Sequence, residues 1–84
     1  MCNAIVVDNQ SLVRSGLCEL VKKIPEIRIA GEADSCEQLI NMVRTAKFDL
    51  VIMEWNLSGI GGVETTHRLM KLYPKLKVIL TSGY

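Results

Sequence analysis

Short runs of successive apolar residues, many of them β-branched, are the feature of this sequence that most limits its fold. They are Ala4-Ile5-Val6-Val7, Leu50-Val51-Ile52-Met53 and Val78-Ile79-Leu80. A strand with one solvated face alternates apolar and polar side chains, whereas a strand that is apolar at every position requires cover on both faces. The runs therefore indicate a parallel sheet flanked by helices, and they exclude a one-sided sheet.

Amphipathic helical patterns alternate with these runs along the chain. The pattern predicts strands at 3–8, 27–31, 50–54 and 76–81, and helices at 12–23, 37–46 and 63–73. The first helix is predicted to bury a stripe formed by Leu17, Leu20, Val21 and Ile24. It should end before Pro25. Ser35, followed three residues later by Gln38, fits a capping box at the start of the second helix.

This alternation of strands and helices predicts an α/β fold with strand order 2-1-3-4, because crossovers between parallel strands are right-handed. The first helix would then cover one face of the sheet alone, and the second and third helices would cover the other. The fourth strand is predicted to lie at an open edge. We expect a single domain over residues 1–84.

Composition limits the partners and the compartment. The formal net charge is +1, which argues against a nucleic-acid-binding face. The apolar runs are far shorter than the roughly 20 residues of a membrane span. No secretory signal is evident, so we expect a cytoplasmic, reducing environment. Cys2, Cys18 and Cys36 lack ligand spacing and are predicted to be small buried hydrophobic residues.

Acidic and polar residues follow the predicted strands where ligands of open α/β sheets bind. Asp8 closes the first strand and Glu54 closes the third, and these strands should be neighbours about 4.8 Å apart. Paired carboxylates suit a hard cation such as Mg²⁺. Asn56 could add a backbone carbonyl, and the hydroxyl of Thr81 could donate to an anionic oxygen in the same place.

The segments around these residues resemble a known family. The first of them resembles the opening of NarL-type response regulators and reads Val6-Val7-Asp8-Asn9-Gln10-Ser11-Leu12-Val13-Arg14-Ser15-Gly16-Leu17. Gly31-Glu32-Ala33 and the segment from Asp49 to Glu64 extend the resemblance. The fourth strand, Lys77-Val78-Ile79-Leu80-Thr81-Ser82, is similar to the family's switch-threonine strand.

The resemblance implies a flavodoxin-like receiver fold and assigns roles at the strand ends. Glu54 takes the position of the phosphate-accepting aspartate, and Asp8-Asn9 takes the position of the acidic pair. Asp8, Glu54 and Asn56 would form the metal site, with Thr81 as the switch hydroxyl. The family's fifth strand, which carries a lysine, and its last two helices would follow residue 84, so the predicted receiver is partial.

Departures from the family pattern lead to the functional hypothesis. Asn9 removes one carboxylate, so we expect only weak Mg²⁺ binding. The extra methylene of Glu54 moves its carboxylate outward by more than about 1 Å, and a displacement of that size can reduce a rate about a hundredfold. Ser58 and Gly61 replace the proline and aspartate of the family's turn. Glu54 could be a constitutive mimic of the phosphorylated state or inert.

We therefore predict a degenerate, non-enzymatic receiver module of two-component signalling that is not phosphorylated. It would act through contacts with a protein such as a sensor kinase or another response regulator. The alternative is a remnant of a NarL-type transcriptional regulator that serves only as a structural or dimerising piece, self-associating through uncovered strand faces. No contact with nucleic acid or membrane is expected.

Other signals have simpler interpretations. His67 lacks a neighbour at ligand spacing and is predicted to be solvated. Trp55 is predicted to be a partly exposed loop aromatic, with an interface anchor as the less favoured alternative. Thr81 fits a plain β-branched strand residue and a switch residue equally well. Gly59-Ile60-Gly61-Gly62 fails the spacing of a dinucleotide-binding fingerprint.

Overall fold

Strands and helices alternate strictly along the computed structural model, which describes residues 1–57 and 61–81. The strands are β1 (Cys2–Val7), β2 (Ile27–Ala33), β3 (Leu50–Glu54) and β4 (Lys77–Thr81), and the helices are α1 (Ser11–Val21), α2 (Cys36–Thr45) and α3 (Gly62–Leu72). Every element predicted from the sequence is present, and no predicted end differs from the observed one by more than two residues. Within the described ranges, no helix is long and apolar enough to cross a membrane.

The four strands form one parallel sheet in the order β2-β1-β3-β4. This confirms the predicted flavodoxin-like order. β1 and β3 lie side by side at the centre, with Val7 opposite Met53, while β3 and β4 pair so that Glu54 lies opposite Thr81. The register therefore brings the ends of β1, β3 and β4 to the same edge of the sheet.

Each face of the sheet carries its own hydrophobic cluster. Alternate residues of the two central strands point to opposite faces. The face under α2 and α3 carries the larger cluster, made of Ile5, Val7, Ala33, Cys36, Leu39, Val43, Val51, Met53, Leu57, Leu69 and Leu76. The face under α1 carries the smaller one, made of Ala4, Val6, Cys18, Val21, Leu50 and Ile52. The predicted imbalance, one helix against two, is confirmed.

The predicted buried stripe of α1 is partly wrong. Leu20 is 62% exposed and Ile24 is 44% exposed, whereas Cys18 and Val21 are buried. Successive residues of a helix are rotated by about 100°, so Leu20 lies roughly 200° around the axis from Cys18. Ile24 lies three residues beyond Val21, the last residue of the helix. The true stripe therefore uses a cysteine that hydropathy alone ranks below leucine.

Helix α2 begins as the capping-box pattern predicts. The Ser35 hydroxyl accepts a hydrogen bond from the backbone N–H of Gln38 at 3.1 Å. The Gln38 side chain accepts one from the backbone N–H of Asp34 at 2.7 Å, one residue earlier than in the standard motif. Two backbone donors at the start of the helix are thereby satisfied.

Candidate functional site

The ends of three adjacent strands place Asp8, Glu54 and Thr81 on one face of the sheet. Side chains alternate along a strand, so Asp8 points to the same face as Ala4 and Val6, which belong to the smaller cluster under α1. By the same alternation, Glu54 points to the face that carries Leu50 and Ile52, which is also the face of the smaller cluster. Thr81 pairs directly with Glu54. The convergence predicted from the sequence is therefore present in the backbone register.

Asp8 is the most buried polar residue of this edge, with 2% of its surface exposed. Its Oδ1 atom accepts a hydrogen bond from the backbone N–H of Gln10 at 2.9 Å, and its own N–H donates to the carbonyl of Ala33 at 3.1 Å. One carboxylate oxygen thus shapes the turn into α1. Among the described residues, Oδ2 has no hydrogen-bond donor and can face a ligand.

Asn9 does not cap the first helix. The N-cap residue of α1 is Gln10, and no side chain accepts a hydrogen bond there. Asn9 is exposed. The position to which the resemblance assigns the second acid of the pair is therefore on the surface, and its neutral side chain does not cap the helix.

Arg14 is a site residue that the sequence reasoning missed. Its Nη1 atom donates to the backbone carbonyl of Asp8 at 2.7 Å, and its Nε atom lies 3.1 Å from the Glu32 carboxylate. The guanidinium therefore joins the end of β1 to β2. Arg14 lies four residues before the buried Cys18 on α1. This spacing places both residues on the same side of the helix, and it is the signal in the sequence that points to Arg14. Burial is the main cause that raises the pKa of the Cys18 thiol, and the negative charge of Glu32 raises it further.

Glu54 is half-buried, and its carboxylate turns toward its own loop. Oε1 accepts a long hydrogen bond of 3.4 Å from the backbone N–H of Asn56. Asn56 and Trp55 are exposed, Trp55 by 45%, as predicted for a loop aromatic. The backbone N–H of Trp55 donates to the carbonyl of Thr81 at 3.0 Å and extends the β3–β4 pairing by one residue.

Thr81 carries an unusual hydroxyl. The Oγ1 atom is buried and has no hydrogen-bond partner within the described ranges. Burying a hydroxyl without a partner is unfavourable, and buried polar groups in proteins are nearly always paired. A donor beside the Glu54 strand end, with the Asp8 strand end one strand further along, is suited to an anionic oxygen of a ligand.

The loop after β3 is closed by a glycine. The backbone N–H of Gly62 donates to the carbonyl of Trp55 at 3.2 Å. A Cβ at this position would lie 2.7 Å from that same oxygen, so only glycine permits the approach. Gly61, the N-cap of α3, has φ of 91°, a conformation that side chains disfavour. The Gly59-Ile60 half of the glycine segment, and Ser58 of the turn, lie outside the described residues.

The donor set fits a hard cation but is small. Asp8 and Glu54 supply two carboxylates at neighbouring strand ends, with the Asn56 carbonyl close by in sequence. Within the part of the chain that the structure describes, no group of three or more acidic, histidine or cysteine side chains forms a metal site. Mg²⁺ is often bound by one or two carboxylates together with waters and phosphate oxygens. These residues could therefore hold Mg²⁺ with few protein ligands.

Comparison with protein families gives one match over almost the whole chain. The family model described as "Response regulator receiver domain" matches residues 4–84. The response regulator GacA of Pseudomonas viridiflava is 37% identical over 79 residues, covering 94% of this chain and 37% of the relative. UvrY of Escherichia coli (strain K12) is 34% identical over 80 residues, with 95% and 37% covered. The chain thus spans a little over a third of these relatives.

Solved structures show the same fold. The isolated REC domain of RcsB from Salmonella enterica serovar Typhimurium, solved with the phosphomimetic BeF3-, superposes with a TM-score of 0.91 at 20% identity, covering 99% of this chain and 62% of that one. A complex of the two-component response regulator RcsB with DNA gives a TM-score of 0.90 at 20% identity, covering 99% and 43%. At this level of identity the similarity is one of fold.

Proposed function

Because this chain belongs to the response regulator receiver domain family of two-component signalling, with NarL/LuxR-type relatives, we propose that it is a receiver module that does not take up a phosphoryl group. It would form one domain over residues 1–84. In this proposal it acts without turnover of its own, through contact with a sensor kinase or another response regulator.

The observation that carries the proposal is Glu54 at the end of β3, paired with Thr81. The resemblance assigns this position to the phosphoacceptor aspartate. A glutamate there displaces the nucleophilic oxygen by about one carbon–carbon bond. In-line transfer depends on placement to within about 1 Å, and such a displacement can reduce the rate about a hundredfold. The fold of the module is retained, but its acceptor geometry is unfavourable.

The small set of metal ligands supports the same proposal. Of the acidic pair only Asp8 remains, and one of its carboxylate oxygens already accepts the Gln10 N–H. Asn9 is neutral and exposed. When bound, Mg²⁺ supplies charge neutralisation of phosphate oxygens. The chain's own contribution is to orient Asp8 through the Gln10 N–H and the Arg14 contact with its carbonyl. We propose that Glu54 is inert rather than a mimic of the phosphorylated state.

The test is labelling by a small phosphodonor. The wild-type chain, Asn9→Asp, Glu54→Asp and the double variant are incubated with acetyl phosphate and Mg²⁺, and intact mass is recorded over time. We expect no phosphoryl adduct on the wild type, and tighter Mg²⁺ binding by the double variant in a calorimetric titration. Circular dichroism before labelling confirms that all four proteins are folded. A stable adduct on Glu54 or Asp8 of the wild-type chain would refute the proposal.

A second candidate, self-association, is favoured by β4. Ile79 is 51% exposed and Leu80 is 42% exposed, and adjacent strand residues point to opposite faces of a sheet. Both faces of the strand therefore present apolar surface, which in small proteins often marks an interface. In this proposal the module acts as a dimerising piece whose partner is a second copy.

Light scattering after size-exclusion chromatography, over a hundredfold range of protein concentration, tests this candidate. The dimer fraction should rise with concentration and fall in Ile79→Lys. Val63→Lys is the matched control, because Val63 is 52% exposed but lies on α3. A monomer at every concentration, or equal effects of the two substitutions, would contradict it.

A further inference from the structure

A groove opens at the end of the sheet opposite Asp8 and Glu54. Its volume is about 530 Å³, and it lies between the segment from the end of α2 to the start of β3 and the segment that joins α3 to β4. Small-molecule sites typically have volumes of about 300–1,000 Å³. The groove therefore has the size of a site for a compact organic molecule, and nothing in the proposed receiver function uses it.

The walls of the groove are apolar and belong to the core. Phe48 and Tyr73 line it, and both are half-buried and packed against the larger hydrophobic cluster. Val43 and Leu76 line it as well, and both are buried members of that cluster. Because these side chains are fixed by core packing, the groove is formed before any ligand enters. Two aromatic rings facing a shared space favour a flat, apolar ligand body.

The rim of the groove is basic. Arg44, Lys47 and Lys75 line it and are exposed, and none of them takes part in an ion pair among the described residues. The acid in the lining is Asp49, whose Oδ2 atom accepts a hydrogen bond from the backbone N–H of Asn3 at 2.9 Å. That carboxylate is therefore already engaged. Three cations beside an apolar groove are complementary to a negative charge on a ligand.

We propose that this groove binds a small aromatic carboxylate. The ring would pack against Phe48 and Tyr73, and the carboxylate would lie at the rim formed by Arg44, Lys47 and Lys75. Guanidinium and ammonium groups form charge-assisted hydrogen bonds with carboxylates, stronger than bonds between neutral groups. The proposal does not depend on the acceptor site at the other end of the sheet.

Titration with cinnamate, followed by amide correlation spectra of isotope-labelled protein, tests the proposal. Saturable shifts should be confined to residues 43–49 and 73–77, with a Kd on the order of 1 mM for a ligand of this size. Cinnamamide has the same shape without the charge and should bind at least about tenfold more weakly. Cinnamylammonium should not bind, because its charge matches that of the rim.

Charge reversal at the rim supplies the matched comparison. Lys47→Glu combined with Lys75→Glu should weaken cinnamate binding by about tenfold or more. Lys22→Glu combined with Lys23→Glu makes the same change in net charge just after α1, outside the groove, and should change the Kd less than threefold. Both pairs of residues are exposed, so folding should be preserved.

Several outcomes would overturn the proposal. These are equal binding of cinnamate and cinnamamide, equal effects of the two double variants, or shifts that map to Asp8 and Glu54. An acidic peptide or a short oligonucleotide that shifts residues 43–49 while cinnamate does not would assign the groove to a macromolecule instead.

Discussion

Replacing threonine by valine separates the energetic roles of three hydroxyls in this fold. Valine has nearly the shape of threonine, so the change removes a hydroxyl and little else. The Oγ1 atoms of Thr81 and Thr65 are buried and without a partner among the described residues. The Oγ1 atom of Thr66 donates to the carbonyl of Gly62 at 2.7 Å. Thr81 lies at the candidate site, whereas Thr65 lies on α3, on the other face of the sheet.

The magnitudes follow from desolvation. Burying a hydroxyl without a compensating hydrogen bond costs about 1–3 kcal/mol, so Thr81→Val and Thr65→Val should each raise the free energy of unfolding by about 1 kcal/mol or more. Thr66→Val loses a formed hydrogen bond and should lower it by about 0.5–1.5 kcal/mol. For a domain of this size, 1 kcal/mol corresponds to about 4–8 °C in Tm.

Urea unfolding followed by circular dichroism provides the measurement. The midpoint should rise for Thr81→Val and Thr65→Val and fall for Thr66→Val, with unchanged m-values, because the surface exposed on unfolding is the same. If Thr81→Val and Thr65→Val both destabilise the protein as much as Thr66→Val does, then their hydroxyls are satisfied and the reasoning is refuted.

Three further predictions concern two glycines, the hydrogen bond between Asp49 and Asn3, and the thiol of Cys18. Gly62→Ala should lower the unfolding free energy by about 1–3 kcal/mol, because the new Cβ would lie 2.7 Å from a backbone oxygen. Gly16→Ala, where a Cβ would meet open space, should raise the unfolding free energy by about 0.5–1 kcal/mol. Thermal melts measure both changes. Asp49→Ala should cost about 1–3 kcal/mol in the same assay, because the Asn3 N–H loses its acceptor. The pKa of Cys18 is raised by burial and then by Glu32, so the folded state holds the thiol proton more tightly. Stability should therefore fall as the pH rises from the ordinary thiol pKa through the raised one, and urea midpoints for Cys18→Ala should show a flatter alkaline slope.

The fold was predictable because its signals are local and repeated. Successive apolar residues in β1 and β3 predicted cover on both faces, and the structure buries Val51 and Met53 on one face and Ile52 on the other. The error at Leu20 has a physical cause. Hydropathy ranks leucine above cysteine, but burial is decided by the angular position of the residue on the helix. Cys18 lies three residues before Val21, and the two residues therefore share the side of α1 that faces the sheet.

The candidate site was only partly predictable. Strand ends are readable from the sequence, so Asp8, Glu54 and Thr81 could be placed at one edge. The spacing of Arg14 from Cys18 indicates which side of α1 carries Arg14, but its contact with the Asp8 carbonyl depends on how α1 lies on the sheet and could not be predicted. The basic groove was missed for a similar reason. Its parts come from two loops separated in sequence. The pairing of Leu50 with Lys77 brings these loops together, but the groove itself depends on how Phe48 and Tyr73 pack against the core.

Burial differs among the residues that the resemblance places at the site, from buried Asp8 through half-buried Glu54 and Thr81 to exposed Asn9. Asn9 is exposed and Glu54 is only half-buried, so substitutions there change the chemistry with little effect on the core. Asp8 is 2% exposed and accepts a backbone hydrogen bond, so its loss would harm folding whatever the function. Thr81 is the informative residue, since its buried hydroxyl has no partner among the described residues, and we expect valine to fill the same space without the cost of burying that hydroxyl. If Thr81→Val stabilises the protein, the threonine hydroxyl does not stabilise the fold, and any role for it requires a ligand or partner that accepts its hydrogen bond.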